Sequence, residues 1–194
     1  VFPGVVTTSL GTSGTIYSCA DKPIIDPKGE LAAFCSSSGH WLPLVCTMNV
    51  TVSTELTRTL LGLNIEDMNQ KAASAPLGSE GLTLLPYFNG ERTPALPNAK
   101  AVLYGITGVN YNSENLCRAA MEGATLGLRY GLDVLRQRDI ETNEIRLVGG
   151  GAKSTLWRQM VANIFDCNVV CPKYSEAGAM GAALQAMWCY RNSQ

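Results

Sequence analysis

Apolar and polar positions divide this chain into an alternating first part and a mostly helical remainder. Residues 5–10 form a run rich in Val and Thr that reads as a strand. Gly11-Thr12-Ser13-Gly14 breaks the run as a tight turn, and residues 15–19 resume it, so the pair predicts a hairpin. Residues 21–29 hold two prolines and a glycine and connect onward to strands over 31–35 and 41–46. The spacing then becomes helical. Residues 50–61 predict a helix ending near Gly62, and Asn64 can cap a second, short one. A short strand over 82–85 leads into a polar loop over 87–100.

The longest helix is predicted over 113–137, with Ser113 as its cap and Glu114 at its positive end. Leu116, Ala120, Gly123, Gly127, Tyr130 and Val134 recur on one face, and Leu128, Leu132 and Leu135 extend the apolar surface. A strand over 144–148 runs into Gly149-Gly150-Gly151, followed by a helix over 154–165, a strand over 169–171 and a last helix over 178–190. Strands first, then alternating helices and strands, make an α/β layout: a mixed sheet covered by helices.

Composition narrows the classes. Apolar residues at 46% and charged residues at 16% fit a folded domain, and 194 residues can bury a core. A net charge of -1 gives no footprint for nucleic acid, and no apolar run is long enough to span a membrane. Seven scattered cysteines do not form a disulfide framework and predict free thiols in the core of a cytoplasmic protein. Cys167 and Cys171 lack a matching ligand pair, and His40 is the only histidine, so neither a zinc site nor a histidine triad is expected. His40 is read as a loop or core residue. The chain opens Val-Phe-Pro-Gly without Met, which suggests that a segment precedes it.

Two glycine turns carry the chemistry. Phosphate oxygens need backbone N–H groups brought close, and glycine removes the side chain that would block them. Gly11, Thr12, Ser13 and Gly14 meet that need and add two hydroxyl donors. In Gly149-Gly150-Gly151-Ala152-Lys153-Ser154 a strand enters a turn that opens a helix, leaving N–H groups for an anion or a polar ring edge. The glycines are consecutive, so this is neither the dinucleotide fingerprint nor a P-loop. A plain hairpin and a plain strand–helix connection remain the structural alternatives.

The first turn resembles the second phosphate loop of sugar kinases in the actin, hexokinase and heat-shock ATPase superfamily, and the second resembles their adenosine motif. Between them, Ala101-Val102-Leu103-Tyr104-Gly105-Ile106, an eight-residue spacer and Asn115-Leu116-Cys117-Arg118-Ala119-Ala120-Met121-Glu122 are similar to the C-terminal signature of the FGGY carbohydrate kinase family. Gly90-Glu91-Arg92-Thr93-Pro94 is similar to a motif typical of the xylulose kinases of that family. Gly178-Ala179-Met180-Gly181-Ala182-Ala183 looks like its lobe-connecting helix.

The resemblance covers nearly the whole chain. It implies a ribonuclease H-like, nucleotide-binding lobe over residues 1–194, with the sugar-binding N-terminal lobe outside the chain. It further implies phosphoryl transfer from ATP, with Mg2+, to a sugar hydroxyl, xylulose first and gluconate, glycerol, ribulose or rhamnulose as alternatives. A non-catalytic nucleotide module is the rival of a different class. Gly11, Thr12, Ser13, Gly14 and Gly105 would meet phosphates; Gly149, Gly150, Gly151, Ala152 and Ser154 would meet adenosine. Thr155 and Leu156 depart from the residues usual after that motif. Glu91 and Arg92 would either shape the cleft or support the loop as an ion pair. The general-base Asp is expected before Val1, and a homodimer or other self-association is implied.

Overall fold

The computed structural model describes residues 3–174 and 176–193. Its larger sheet is built from β1 (Val5–Leu10), β2 (Gly14–Tyr17), β3 (Ala32–Cys35), β4 (Trp41–Thr47), and, much later, β7 (Glu144–Val148) and β8 (Asn168–Val170). Between these groups come α1 (Thr51–Leu60), α2 (Ile65–Ser74), the two-stranded ribbon β5 (Thr83–Leu85) and β6 (Val102–Tyr104), and α3 (Ser113–Arg136). Helix α4 (Thr155–Phe165) joins β7 to β8, and α5 (Ala177–Asn192) follows.

The spatial order is β3-β4-β2-β1-β7-β8. β1, β2, β4 and β3 pair antiparallel, whereas β1–β7 and β7–β8 are parallel. The mixed sheet follows from the connections. Short loops permit antiparallel pairing, and parallel neighbours need a long crossover. Helix α3 lies within the crossover to β7, and α4 within the one to β8.

α3 is the spine of the core. Cys117, Met121, Ala124, Leu128, Gly131 and Leu135 repeat at helical spacing and are all buried. They meet Ile16, Val45 and Ile145 from the sheet, each 0% exposed. Burying a Leu or Ile side chain of this kind stabilises by about 1.5–3 kcal/mol. The face expected from the sequence is shifted: Gly127 is only half-buried and Tyr130 is exposed. The cap is also displaced by one residue. Asn112, not Ser113, accepts from the Asn115 N–H at 2.9 Å.

Other expectations are met in part. Asn64 caps α2 by accepting from the Asp67 N–H at 2.8 Å. His40 is an exposed turn residue, 3.3 Å from Asp21. The cysteines are free, but only Cys117 is buried; Cys35 and Cys189 are exposed. Burial pushes the Cys117 thiol up to about 11. Helix α5 buries no residue, and Leu184, Met187 and Trp188 lie exposed on it. Among the described residues, no helix is long and apolar enough to cross a membrane.

Candidate functional site

β1 and β7 are parallel neighbours, with Ser9 opposite Val148. Their carboxyl ends therefore sit side by side, and each runs directly into one of the two glycine turns. Ligands of open α/β sheets bind outside the carboxyl ends of parallel strands. Two segments about 140 residues apart in sequence become a single edge of the molecule through this one strand pairing.

The first turn is a three-residue hairpin loop, Gly11-Thr12-Ser13, closed by the pair Leu10 and Gly14. The side chains of Thr12 and Ser13 are exposed. The loop is held from outside: the Val50 N–H donates to the Thr12 carbonyl at 3.2 Å and the Thr51 N–H to the Gly11 carbonyl at 3.0 Å. These donors are the start of α1, so the positive end of that helix abuts the turn. Gly14 does not belong to the turn as expected. It is the buried first residue of β2, where a Cβ would stand 2.6 Å from side-chain atoms of Leu128 and Val50. Packing alone accounts for glycine there.

The second turn is a single short helical turn, Gly150–Lys153, entered through Gly149. Gly149 has φ +92°, and a Cβ on it would stand 2.7 Å from the Leu10 carbonyl oxygen. A Cβ on Gly151 would stand 2.8 Å from the Leu10 Cβ and 3.0 Å from the Trp157 ring. Gly150 differs from both, because a Cβ there would meet nothing within 4 Å. Ala152 is buried at the rear of the turn. Ser154 caps α4: its hydroxyl accepts from the Trp157 N–H at 3.3 Å and donates to Asn69 Oδ1 at 2.7 Å. The Trp157 ring is fixed in turn, with Nε1 donating to Thr125 at 2.9 Å.

In front of Gly150 and Gly151 opens a cleft of about 430 Å³, a size suited to a small-molecule site. Its opposite wall is α1 and α2, contributing Thr54, Glu55, Arg58, Glu66 and Asn69, and Met121 and Trp157 form apolar floor. The wall was not visible in the sequence, because no motif marks it. Arg58 donates to the Glu55 carboxylate at 2.7 Å, pairing two of the three charges on that wall. Lys71 ties α2 to α3 through Glu114 at 2.7 Å. That bond, with the Glu114 backbone N–H and the Ser113 hydroxyl, holds the Glu114 carboxyl at about 2.

Gly105 belongs to neither turn. It ends β6 with φ +79°, packed on the Gly81 carbonyl, and its own carbonyl accepts from Asn110 at 2.9 Å. Glu91 and Arg92 form no ion pair with each other: Glu91 is buried and bonded to N–H groups, while the Arg92 side chain is exposed. Among the described residues, no three His, Cys, Asp or Glu side chains gather to hold a metal ion.

The description "FGGY family of carbohydrate kinases, C-terminal domain" matches residues 6–190. The chain belongs to this family. A xylulose kinase of Haemophilus influenzae is 54% identical over 95% of this chain. A gluconokinase of Bacillus subtilis is 32% identical, also over 95%. The crystal structure of xylulose kinase from Bifidobacterium adolescentis superposes with a TM-score of 0.88 at 38% identity, covering 99% of this chain. The chain spans 38% of the length of both xylulose kinases and 39% of the gluconokinase. The fold is the ribonuclease H-like lobe that the FGGY resemblance implied.

Proposed function

We propose that this domain holds the ATP of a sugar kinase that moves the γ-phosphoryl group to a hydroxyl of D-xylulose. One observation carries the nucleotide part: the two glycine turns lie side by side at the carboxyl ends of β1 and β7, and the second of them lines a cleft. Adenosine would lie against Gly150 and Gly151, facing α1 and α2. The phosphates would extend to Gly11, Thr12 and Ser13, where hydroxyls and the α1 terminus offer positive field. Magnesium would arrive on the triphosphate, since the described residues provide no protein cage for it. Gly14, Gly149, Ala152 and Ser154 would support this arrangement from behind through the packing and capping described above, and Gly105 would lie near the phosphates.

Phosphoryl transfer is chiefly positioning and charge stabilisation, with a carboxylate to orient the attacking hydroxyl. Asp21, Asp26, Asp67, Asp133, Asp139 and Asp166 all lie outside the cleft lining. The resemblance to the family, not the cleft, is what assigns the base and most sugar contacts to residues outside these 194. The similarity to proteins named xylulose kinase favours that sugar, and the match to a gluconokinase keeps gluconate as the second reading.

Calorimetric titration of this chain with ATP, adenosine and NAD tests the site. One-to-one binding of ATP, tighter than NAD, is expected; preference for NAD, or no nucleotide binding, overturns it. A substrate panel on the longer protein tests the sugar, with D-xylulose expected to turn over fastest and a faster D-gluconate rate defeating that choice. This chain by itself should not turn over, and sustained sugar-dependent ATP consumption would refute that. We also propose self-association through exposed α5, which a monomeric sedimentation profile at high concentration would contradict.

A further inference from the structure

Glu91 is buried, only 3% exposed, and its carboxylate is satisfied by N–H donors alone. Its Oε1 accepts from the backbone N–H of Met48 at 2.7 Å and of Arg92 at 2.8 Å. Its Oε2 accepts from the Asn49 side-chain amide at 3.1 Å. Asn49 is itself 2% exposed, and the same amide donates to the Gly90 carbonyl at 2.7 Å. Asn49 Oδ1 accepts from the Asn89 N–H at 3.4 Å. A carboxylate is retained in such a place only when its lone pairs are fully used.

These bonds grip Met48 and Asn49, the first part of the junction between β4 and α1. The next two residues along the chain are Val50 and Thr51, whose N–H groups hold the carbonyls of Thr12 and Gly11. One carboxylate thus fixes two residues, and the two that follow fix the first glycine turn. Peptide planarity leaves few soft angles between those pairs, so a shift at Met48 and Asn49 reaches Val50 and Thr51 with little loss. No comparable link runs from Glu91 to the second turn, which leans on Leu10, Trp157 and the Ser154–Asn69 bond.

We propose that Glu91 is a positioning residue for the phosphate end of the nucleotide site. It fixes the β4–α1 junction, and the junction fixes the 11–13 turn in the shape that receives phosphates. The proposal rests on the reading of that turn as phosphate-binding.

The test is Glu91→Gln in this chain, with adenosine and ATP titrated separately into parent and variant. Glutamine keeps one oxygen for the Met48 and Arg92 N–H groups but turns an NH2 toward the NH2 of Asn49. ATP affinity should fall about tenfold while adenosine affinity stays within about twofold. Asn49→Ala, which leaves both backbone bonds to Oε1, is the milder second variant, expected to lower the ATP-to-adenosine ratio about threefold. Without any ligand, the amides of Val50 and Thr51 should exchange with solvent faster in Glu91→Gln, and those of Ile145 and Leu147 unchanged.

A ratio that stays at the parent value in both variants overturns the proposal and leaves the nucleotide site standing. Equal loss of both affinities with a general loss of amide protection makes Glu91 a fold residue only, and overturns it as well. A parent chain that binds neither ATP nor adenosine removes the site itself, and this inference with it.

Discussion

The two glycine turns lie side by side and are built in opposite ways. The 11–13 turn is open at its tip, presents the exposed side chains of Thr12 and Ser13, and is held by N–H groups of another segment. The second turn shows bare backbone at Gly150, and its glycines Gly149 and Gly151 are held by direct contact with Leu10 and Trp157. Polar hydroxyls with a helix terminus behind them suit an anion. A flat, side-chain-free strip over an aromatic floor suits a ring. One residue type thus answers two different demands. At Gly149 and Gly151 the protein's own atoms require it, whereas at Gly150 the protein has room for a Cβ and only the cleft in front gives a reason for its absence.

Gly149→Ala attacks the part that packing demands, and its effect should be the largest. The residue sits at φ +92°, a region closed to other side chains, and the new Cβ would collide with the Leu10 backbone. Strain and overpacking together should cost about 3 kcal/mol or more. Chemical denaturation would show this as a lowered midpoint. A midpoint unchanged from the parent would mean that the turn is not clamped as described.

Gly150→Val is the contrasting case. Stability should change by no more than about 0.5 kcal/mol, because the position is exposed and unstrained. Nucleotide affinity should drop about tenfold, for adenosine as much as for ATP, because the added methyl groups stand in the cleft. Equal affinities in parent and variant would separate Gly150 from the ligand and make its glycine unexplained.

Thr12→Ala and Ser13→Ala probe the other turn. Both side chains are exposed, so folding should be untouched. Each should weaken ATP about threefold, as expected for one modest hydrogen bond, and leave adenosine unchanged. An adenosine effect as large as the ATP effect would show that the two turns do not divide the nucleotide between them.

How far the sequence leads differs between these regions for physical reasons. Both turns are legible because glycine is punctuation that few other residues can replace. Their adjacency is not, since it depends on a pairing between β1 and β7 that no local pattern encodes. The stripe on α3 holds at Ala120, Gly123, Val134, Leu128, Leu132 and Leu135 but not at Gly127 and Tyr130, because small residues stand on several of its faces and more than one stripe fits the helical period. The sheet selects among them: a Cβ on Gly131 would stand 2.9 Å from Ile16. β6 went unread because three residues are too few to show alternation. The α1–α2 wall of the cleft carries only ordinary surface residues, which acquire meaning from the turn they face. Glu91 and Arg92 invited an ion-pair reading as neighbours of opposite charge, but backbone N–H groups took the carboxylate first.

The smallest expected effect concerns acid. Neither turn holds a carboxyl group, but the wall opposite the second turn is tethered by one, through the Lys71–Glu114 bond between α2 and α3. Hydrogen bonding to Lys71 holds Glu114 at about 2 in the folded chain, against 4.5 for the free group. A carboxyl with a depressed folded value contributes stability that is fully present above its unfolded value. That contribution should fade as pH falls from about 4.5 toward about 2. The pair is part exposed, so screening by solvent should keep that contribution small. Glu114→Gln removes the charge at every pH, so its stability should differ from the parent at pH 6 and converge with it near pH 2. Thermal melts of both proteins across that range measure the convergence. A constant difference at all pH values would mean that Glu114 acts through shape alone, and that the wall opposite the adenosine strip is held by packing, as the second turn itself is.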